Sequence, residues 1–281
     1  GYASAMKAGL SSSDMLSTVS TRYGYEIQGA QEGYGLDWLT RARSNRLIGI
    51  TNGVDYEVWN PETDTEIPAK YTSQNLNRKT ECKRALLEQF GLPQDLERPI
   101  FASITRLTAQ KGIDLMMQVA GEILATGAFI VSLGSGEKHY EDFWQRLRDY
   151  APRQVGAYRG YNESLAHKIE AGADIFMMPS KFEPCGLNQM YSLKYGTIPI
   201  VHAVGGLDDT VRNFDAVKGT GNGFKFDDYS GDKFLEKIYE ALFAYHDKDA
   251  WRRLQLNGMN EDNSWENAAH KYIQLYQMTK G

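Results

Sequence analysis

The stretch Pro99-Ile-Phe-Ala-Ser-Ile-Thr-Arg106-Leu-Thr-Ala-Gln-Lys111-Gly112 decides the fold. Its first half is a short, nearly unbroken apolar run, as a strand buried on both faces requires. Its second half is polar and ends at glycine. Leu115, Val119 and Ile123 then recur at i, i+4 and i+8, one stripe of a helix. The same unit repeats downstream. Phe129-Ile-Val-Ser-Leu133 is the next strand, followed by a charged helix near Glu137 to Tyr150 with Pro152 beyond it. Val155 to Tyr158 is a short strand, and Leu165 with Ile169 form a stripe that stops at Gly172. Asp174-Ile-Phe-Met-Met178 is closed by Pro179, a helix covers Gly186 to Tyr195, and Ile198-Pro-Ile-Val201 is another strand. This rhythm predicts an α/β fold, a parallel sheet with helices on both faces. Such sheets bind ligands at the carboxyl ends of their strands. The chemistry is therefore expected directly after Thr105, Leu133, Tyr158, Pro179 and Val201.

Outward from this region the pattern changes. In residues 1–98 only Leu16 to Val19 and Leu47-Ile-Gly-Ile50 read as strands, and the portion is expected to be too small for a second sheet. At the other end Phe234, Ile238 and Leu242 form a helix stripe. Trp265, Ala268, Ala269, Tyr272 and Tyr276 form another, with Ser264 as its N-cap. The 281 residues, 42% hydrophobic and 24% charged, suffice for a large core and exclude a disordered or fibrous chain. A net charge of −5 argues against nucleic acid or an anionic membrane as partner. Cys82 and Cys185 make no disulfide framework, so a reducing, cytoplasmic setting is expected. No apolar run is long enough to cross a bilayer, and Gly1 to Ser20 does not read as a secretory signal.

Several chemistries are excluded by motif. Gly134-Ser-Gly136 follows a strand, but the third glycine of a dinucleotide fingerprint would fall at His139. No Gly-Lys pair exists for a phosphate-binding P-loop, no zinc spacing occurs, and no Gly-x-Ser-x-Gly elbow is present. Asp247-Lys-Asp249 has the form of a metal-binding pair but reads better as solvated surface. Asn162-Glu-Ser164 matches a glycosylation acceptor of no consequence in a cytosolic chain.

The expected site positions do carry chemistry. Arg106 and Lys111 lie five residues apart just before a helix start near Gly112, a pairing suited to a diphosphate. Pro179-Ser-Lys-Phe-Glu183-Pro-Cys185-Gly186-Leu187-Asn188 places a carboxylate and a glycine at the next helix start. Glu183 there either stabilises that helix or accepts hydrogen bonds from sugar hydroxyls. Val204-Gly205-Gly206-Leu207-Asp208 is a second glycine-led start, and two such starts opposing one Arg/Lys pair suit a nucleoside diphosphate. Tyr161 is a candidate platform for a base, or an ordinary half-buried tyrosine. Asn52-Gly53 is a candidate amide in the crevice, or a plain turn.

Together these residues resemble bacterial glycogen synthase and plant starch synthase, the ADP-glucose-dependent family 5 glycosyltransferases. The resemblance is carried by Thr51-Asn-Gly-Val-Asp55, Trp59-Asn-Pro-Glu-Thr-Asp64, Arg106 to Gly112, Glu183-Pro-Cys-Gly-Leu187, Lys194-Tyr-Gly196 and Gly205-Gly-Leu207, in order and over essentially the whole chain. Lys7-Ala-Gly-Leu10 and Thr18-Val-Ser20 look like the end of that family's N-terminal lobe. The resemblance implies the Rossmann-like C-terminal lobe of a two-lobed GT-B transferase that needs no metal and no cofactor, ADP-glucose being substrate and an α-1,4-glucan the acceptor. It implies that Arg106 and Lys111 hold the diphosphate and that Glu183 binds the donor glucose. The backbone at Cys185-Gly186-Leu187-Asn188 and Gly205-Gly206-Leu207 would touch phosphate or sugar, Tyr161 adenine, and Asn52 the sugar across the hinge.

The chain departs from the family pattern at Asn188 and Val204, where threonine is usual, and at Asn263, where an aromatic is common. Tyr191 stands where other retaining GT-B enzymes repeat a glutamate, which favours the glucan synthases. The resemblance divides the chain into 1–50 (remnant of the N-terminal lobe), 51–98 (hinge and linker), 99–262 (nucleotide-sugar lobe) and 263–281 (a helix returning towards the other lobe). A chain lacking most of that lobe is expected to bind ADP-glucose but to make little glucan, and to expose apolar surface that could drive homo-oligomerisation. The compartment implied is bacterial cytoplasm, or plastid for a plant protein. Two other readings stay open: a GT-B transferase of another nucleotide sugar, and a non-catalytic nucleotide- or glycan-binding module.

Overall fold

The computed structural model describes residues 4–279. In chain order the elements are α1 (Ala5–Ser12), β1 (Leu16–Thr18), α2 (Thr21–Glu26), α3 (Asp37–Ala42), β2 (Leu47–Gly49), α4 (Lys79–Gln89), β3 (Ile100–Ile104) and α5 (Ile113–Ala125). Then come β4 (Phe129–Gly134), α6 (Lys138–Tyr150), β5 (Val155–Arg159), α7 (Glu163–Gly172), β6 (Ile175–Met178), α8 (Asn188–Tyr195) and β7 (Ile198–His202). The chain continues through α9 (Gly205–Thr210), β8 (Phe224–Phe226), α10 (Gly231–His246), α11 (Lys248–Met259) and α12 (Trp265–Met278).

Strands β3 to β8 form one six-stranded sheet in the order β5-β4-β3-β6-β7-β8, and every pair in it is parallel. The chain winds one way from β3 to β5 and the other way from β6 to β8. The switch lies between β3 and β6, so the loops after these two strands flank the crevice where open α/β sheets take ligands.

Side-chain alternation builds two core layers. Phe101, Ile130, Ile175 and Ile200 point to one face, where Ile113, Val119, Phe234 and Ile238 of α5 and α10 cover them. Ile100, Ala102, Phe129 and Val131 point to the other, against Leu165 and Ile169 of α7 and Leu86 of α4. Phe101 is fully buried, and its truncation to alanine would cost about 3–5 kcal/mol. Helix ends follow local rules. Asn162 accepts the Leu165 N–H at 2.9 Å to start α7, and Gly196 ends α8 in the left-handed conformation (φ 66°).

Residues 51–78 strap onto helices α7 and α8 through a buried polar cluster. Asp64 Oδ2 lies 2.8 Å from His167 Nδ1 and accepts the Tyr195 hydroxyl at 2.5 Å. Burial alone would raise its carboxyl's pKa, but the hydrogen bonds from His167 and Tyr195 hold it below the ordinary value. The Trp59 ring is sandwiched between His167 (3.8 Å between centroids) and Tyr191 (4.1 Å).

Three details differ from expectation. β1 and β2 do pair, as a separate two-stranded parallel ladder, because α2 packs on both strands and Gly49 lets the Ser20–Thr21 backbone pass closely. α8 begins at Asn188 rather than Gly186, whose φ of 71° belongs to the preceding turn. The stripe expected on α12 is largely outside the core. Ala268 is buried and Tyr272 half-buried, but Trp265, Ala269 and Tyr276 are exposed. The helix is anchored at its start, where Val54 N–H donates to Asn263 O (2.7 Å) and Ser264 caps it. Periodicity marks a helix face, and here little packs against that face.

Candidate active site

The loops after β3 and β6 are sewn side by side. Gly112 has φ 71°, and a Cβ there would collide with the Pro179 carbonyl oxygen, so only glycine fits the crossing. Lys181 N–H donates to Gln110 O at 2.8 Å, and Gln110 Nε2 donates to Phe182 O at 3.2 Å. This seam brings Lys111 to Glu183. Their side chains, 15% and 10% exposed, form an ion pair at Glu183 Oε2, and Ser180 Oγ donates to the same oxygen at 3.1 Å.

Arg106 sits on the first loop with an exposed guanidinium that makes no hydrogen bond or ion pair among the described residues. Arg106, Lys111 and Glu183 face one cavity of about 330 Å³, whose wall continues through Gly186, Leu187 and Asn188. Asn188 Nδ2 donates to Ile104 O at 2.8 Å, tying the start of α8 to the end of β3. The β6 loop is anchored from below by His202, a residue the sequence did not single out. Its Nδ1 lies 2.8 Å from Ser180 O and its Nε2 3.1 Å from Asp227 O. Its only sequence signal was its place at the end of a strand.

The second glycine-led tip is used differently. Gly206 N–H donates to the carbonyls of Glu183 and Pro184, both at 3.1 Å, and Gly205 N–H donates to Glu26 Oε1 at 3.0 Å. These amides are therefore spent, neither glycine lines the cavity, and Leu207 is buried in the core. The tip instead braces the Glu183–Cys185 loop from behind. The exchange with α2 is reciprocal, since Asp209 on α9 accepts the Thr21 and Arg22 N–H groups (2.6 and 3.2 Å). Cys185 is buried in a small cluster with Val54 and Met190. Burial pushes that thiol's pKa up to about 11, and a hydrogen bond from the Asn52 backbone opposes the shift. Asn52 lines a separate cavity of about 140 Å³ with Arg212 and Glu261. Tyr161 is 83% exposed beyond β5, its hydroxyl donating to Glu163 at 3.3 Å, and it does not line the Lys111 cavity.

The arrangement can hold an anion between Arg106 and Lys111 while Glu183 accepts hydroxyl hydrogen bonds beside it. No cluster of three or more His, Cys, Asp or Glu poised for a metal occurs among the described residues. Asp247 is a helix cap, accepting the Asp249 and Ala250 N–H groups. No described helix is long and apolar enough to cross a membrane.

The chain is 47% identical over 280 residues to a glycogen synthase of Koribacter versatilis (strain Ellin345), covering 100% of this chain and 58% of that protein. It is 49% identical over 271 residues to a glycogen synthase of Anaeromyxobacter sp. (strain Fw109-5), covering 96% and 57%. Thus it spans under three fifths of the length of these curated relatives. The catalytic domain of Starch Synthase IV from Arabidopsis thaliana, solved bound to ADP and acarbose, superposes with a TM-score of 0.91 at 35% identity, covering 98% of this chain and 57% of that one. A sucrose-phosphate synthase from Thermosynechococcus elongatus, at 18% identity and a TM-score of 0.66, shares the fold. Residues 87–254, more than half of the chain, match the family model described as glycosyl transferases group 1, and the chain belongs to that family.

Proposed function

We propose that this chain carries the donor site of a retaining glucosyltransferase that moves glucose from ADP-glucose to the non-reducing end of an α-1,4-glucan. The observation that carries the reading is the Lys111–Glu183 pair and the unpaired Arg106 facing one cavity at the sheet's switch point. Similarity to glycogen synthases and to a starch synthase bound to ADP supports the choice of donor.

On this reading Arg106 and Lys111 grip the diphosphate. As the bond to the anomeric carbon lengthens, negative charge grows on the departing ADP oxygen, and cations already in place stabilise it. Glu183 holds the hexose hydroxyls. The acceptor hydroxyl attacks from the face the phosphate leaves, and the leaving phosphate oxygen takes its proton. The protein's own cations supply the charge stabilisation, so the reading calls for no metal. Residues 99–262 form the donor lobe and 51–98 the hinge.

Thermal unfolding with ADP-glucose, UDP-glucose or neither tests it. At a hundredfold excess over Kd, ADP-glucose should stabilise the chain by about 2.7 kcal/mol. Lys111→Ala should weaken ADP binding about 10–100-fold, the loss of one charge-assisted contact. A wild-type chain indifferent to ADP-glucose rejects the reading.

A further inference from the structure

The tip of α9 supports the Glu183 loop and is itself held from a distant part of the chain. Gly205 and Gly206 press so close to that loop that a Cβ on Gly205 would stand 2.0 Å from Glu183 O, and one on Gly206 1.9 Å from Cys185 O. Gly206 N–H donates to the Glu183 and Pro184 carbonyls. A displaced tip must therefore move the Glu183 backbone. Glu26, the last residue of α2, fixes the tip, since its Oε1 accepts the Gly205 N–H at 3.0 Å. Arg22 Nε donates to the same oxygen at 3.2 Å and steadies the carboxylate in that position.

Two observations separate this contact from plain docking of α2 on α9. Asp209 already seats α2 by accepting the Thr21 and Arg22 N–H groups, so the Glu26 bond is not needed for that purpose. Glu26 Oε2, moreover, is buried with no hydrogen-bond partner among the described residues. A buried carboxylate oxygen without a donor lowers stability, so its retention calls for another reason. The reach of the contact is also one-sided. The loop that carries Arg106 and Lys111 is anchored at Pro179, Lys181 and Phe182, whereas the α9 tip grips Glu183, Pro184 and Cys185.

We propose that Glu26 is a positioning residue for the sugar half of the donor site. Through the α9 tip it sets where Glu183 stands, while the grip of Arg106 and Lys111 on phosphate is set by the other anchors. The proposal rests on the reading above that Glu183 holds the donor hexose and the two cations hold the diphosphate.

Calorimetric titration of the whole chain with ADP and with ADP-glucose tests it, the quantity read being the ratio of the two affinities. Glu26→Ala should weaken ADP-glucose binding about tenfold, the loss of one hydrogen bond to a carboxylate, and leave ADP affinity within about twofold. Glu26→Gln keeps an oxygen for the Gly205 N–H and should restore the ratio. Leu39→Ala, a core truncation in α3, is the control for stability alone: it should lower the melting temperature and leave the ratio unchanged. Should Glu26→Ala unfold, Glu26→Asp, one methylene short of the Gly205 N–H, carries the same expectation. An unchanged ratio, parallel weakening of both ligands, a glutamine variant as weak as the alanine one, or an equal shift in Leu39→Ala overturns the proposal. Each of these leaves the transferase reading standing while wild type binds ADP-glucose, whereas a wild type that binds neither ligand removes both.

Discussion

Gly112→Ala tests the seam on which the candidate site depends. The added Cβ would stand 1.9 Å from Pro179 O, whereas real Cβ atoms essentially never come closer than 3.0 Å, so the loops must part by about 1 Å. Holding alanine at φ 71° adds about 1–2 kcal/mol. Together with the strained Lys181–Gln110 hydrogen bond, the loss of stability is about 3 kcal/mol. At about 2 °C per kcal/mol for a chain of this size, the midpoint should fall about 6 °C. Parting the loops also shifts Lys111 out of the geometry the cavity holds, and loss of one charge-assisted contact to a diphosphate lowers affinity about 10–100-fold. ADP affinity should therefore fall much further than the midpoint suggests. Calorimetric titration with ADP and a thermal melt read both quantities. Gly121→Ala is the internal control. It sits in α5 with open space around it, so it should stabilise by about 0.5–1 kcal/mol and leave ADP binding alone. A Gly112→Ala chain that melts and binds like wild type would refute the seam as the positioning device.

Two further outcomes follow from buried groups. Burial pushes the Glu170 carboxyl up from its ordinary 4.5 to about 8, and burial pushes the neighbouring Lys79 ammonium down to about 8. Between pH 4.5 and 8 the folded chain keeps a proton on Glu170 that the unfolded chain releases. That contribution is complete below pH 4.5 and is lost as pH rises, on the order of 1 kcal/mol per unit. Glu170→Gln should flatten the fall in urea midpoints between pH 5.5 and 8, and parallel slopes would contradict the assignment. Cys82 and Cys185 are both buried with raised thiol pKa values, so Ellman's reagent at pH 8 should find no fast thiol in the native chain and two in urea. Rapid native labelling mapped to Cys185 would show that the Glu183–Cys185 loop opens.

The sheet and the polar residues Arg106, Lys111 and Glu183 at its edge were legible because each strand's signal is local. Unbroken apolar runs mark buried strands, and polar residues directly after them must stand at the carboxyl edge. What escaped was set by partners distant in sequence. Nothing near Gly205-Gly206 announces that Glu26 and the Glu183 carbonyl will take its amides. Nothing near His202 announces that carbonyls from two loops will converge on its ring. The two-stranded ladder of β1 and β2 was passed over because its support comes from α2 rather than from its own length. The aromatic spacing on α12 identified a helix correctly but not what would lie against it.

The pairing of Lys111 with Glu183 also bears on how the site selects among anions. With the ammonium already neutralised, Arg106 alone among the described residues lining the cavity offers an uncompensated cation, so a small inorganic anion has one strong handle and must break the pair to gain a second. On the proposed reading, a nucleotide sugar offers compensation at both ends. Its diphosphate takes the ammonium while its hexose hydroxyls occupy the freed carboxylate. The pair then acts as a coincidence detector, yielding fully only to a molecule that carries phosphate and sugar at the right separation.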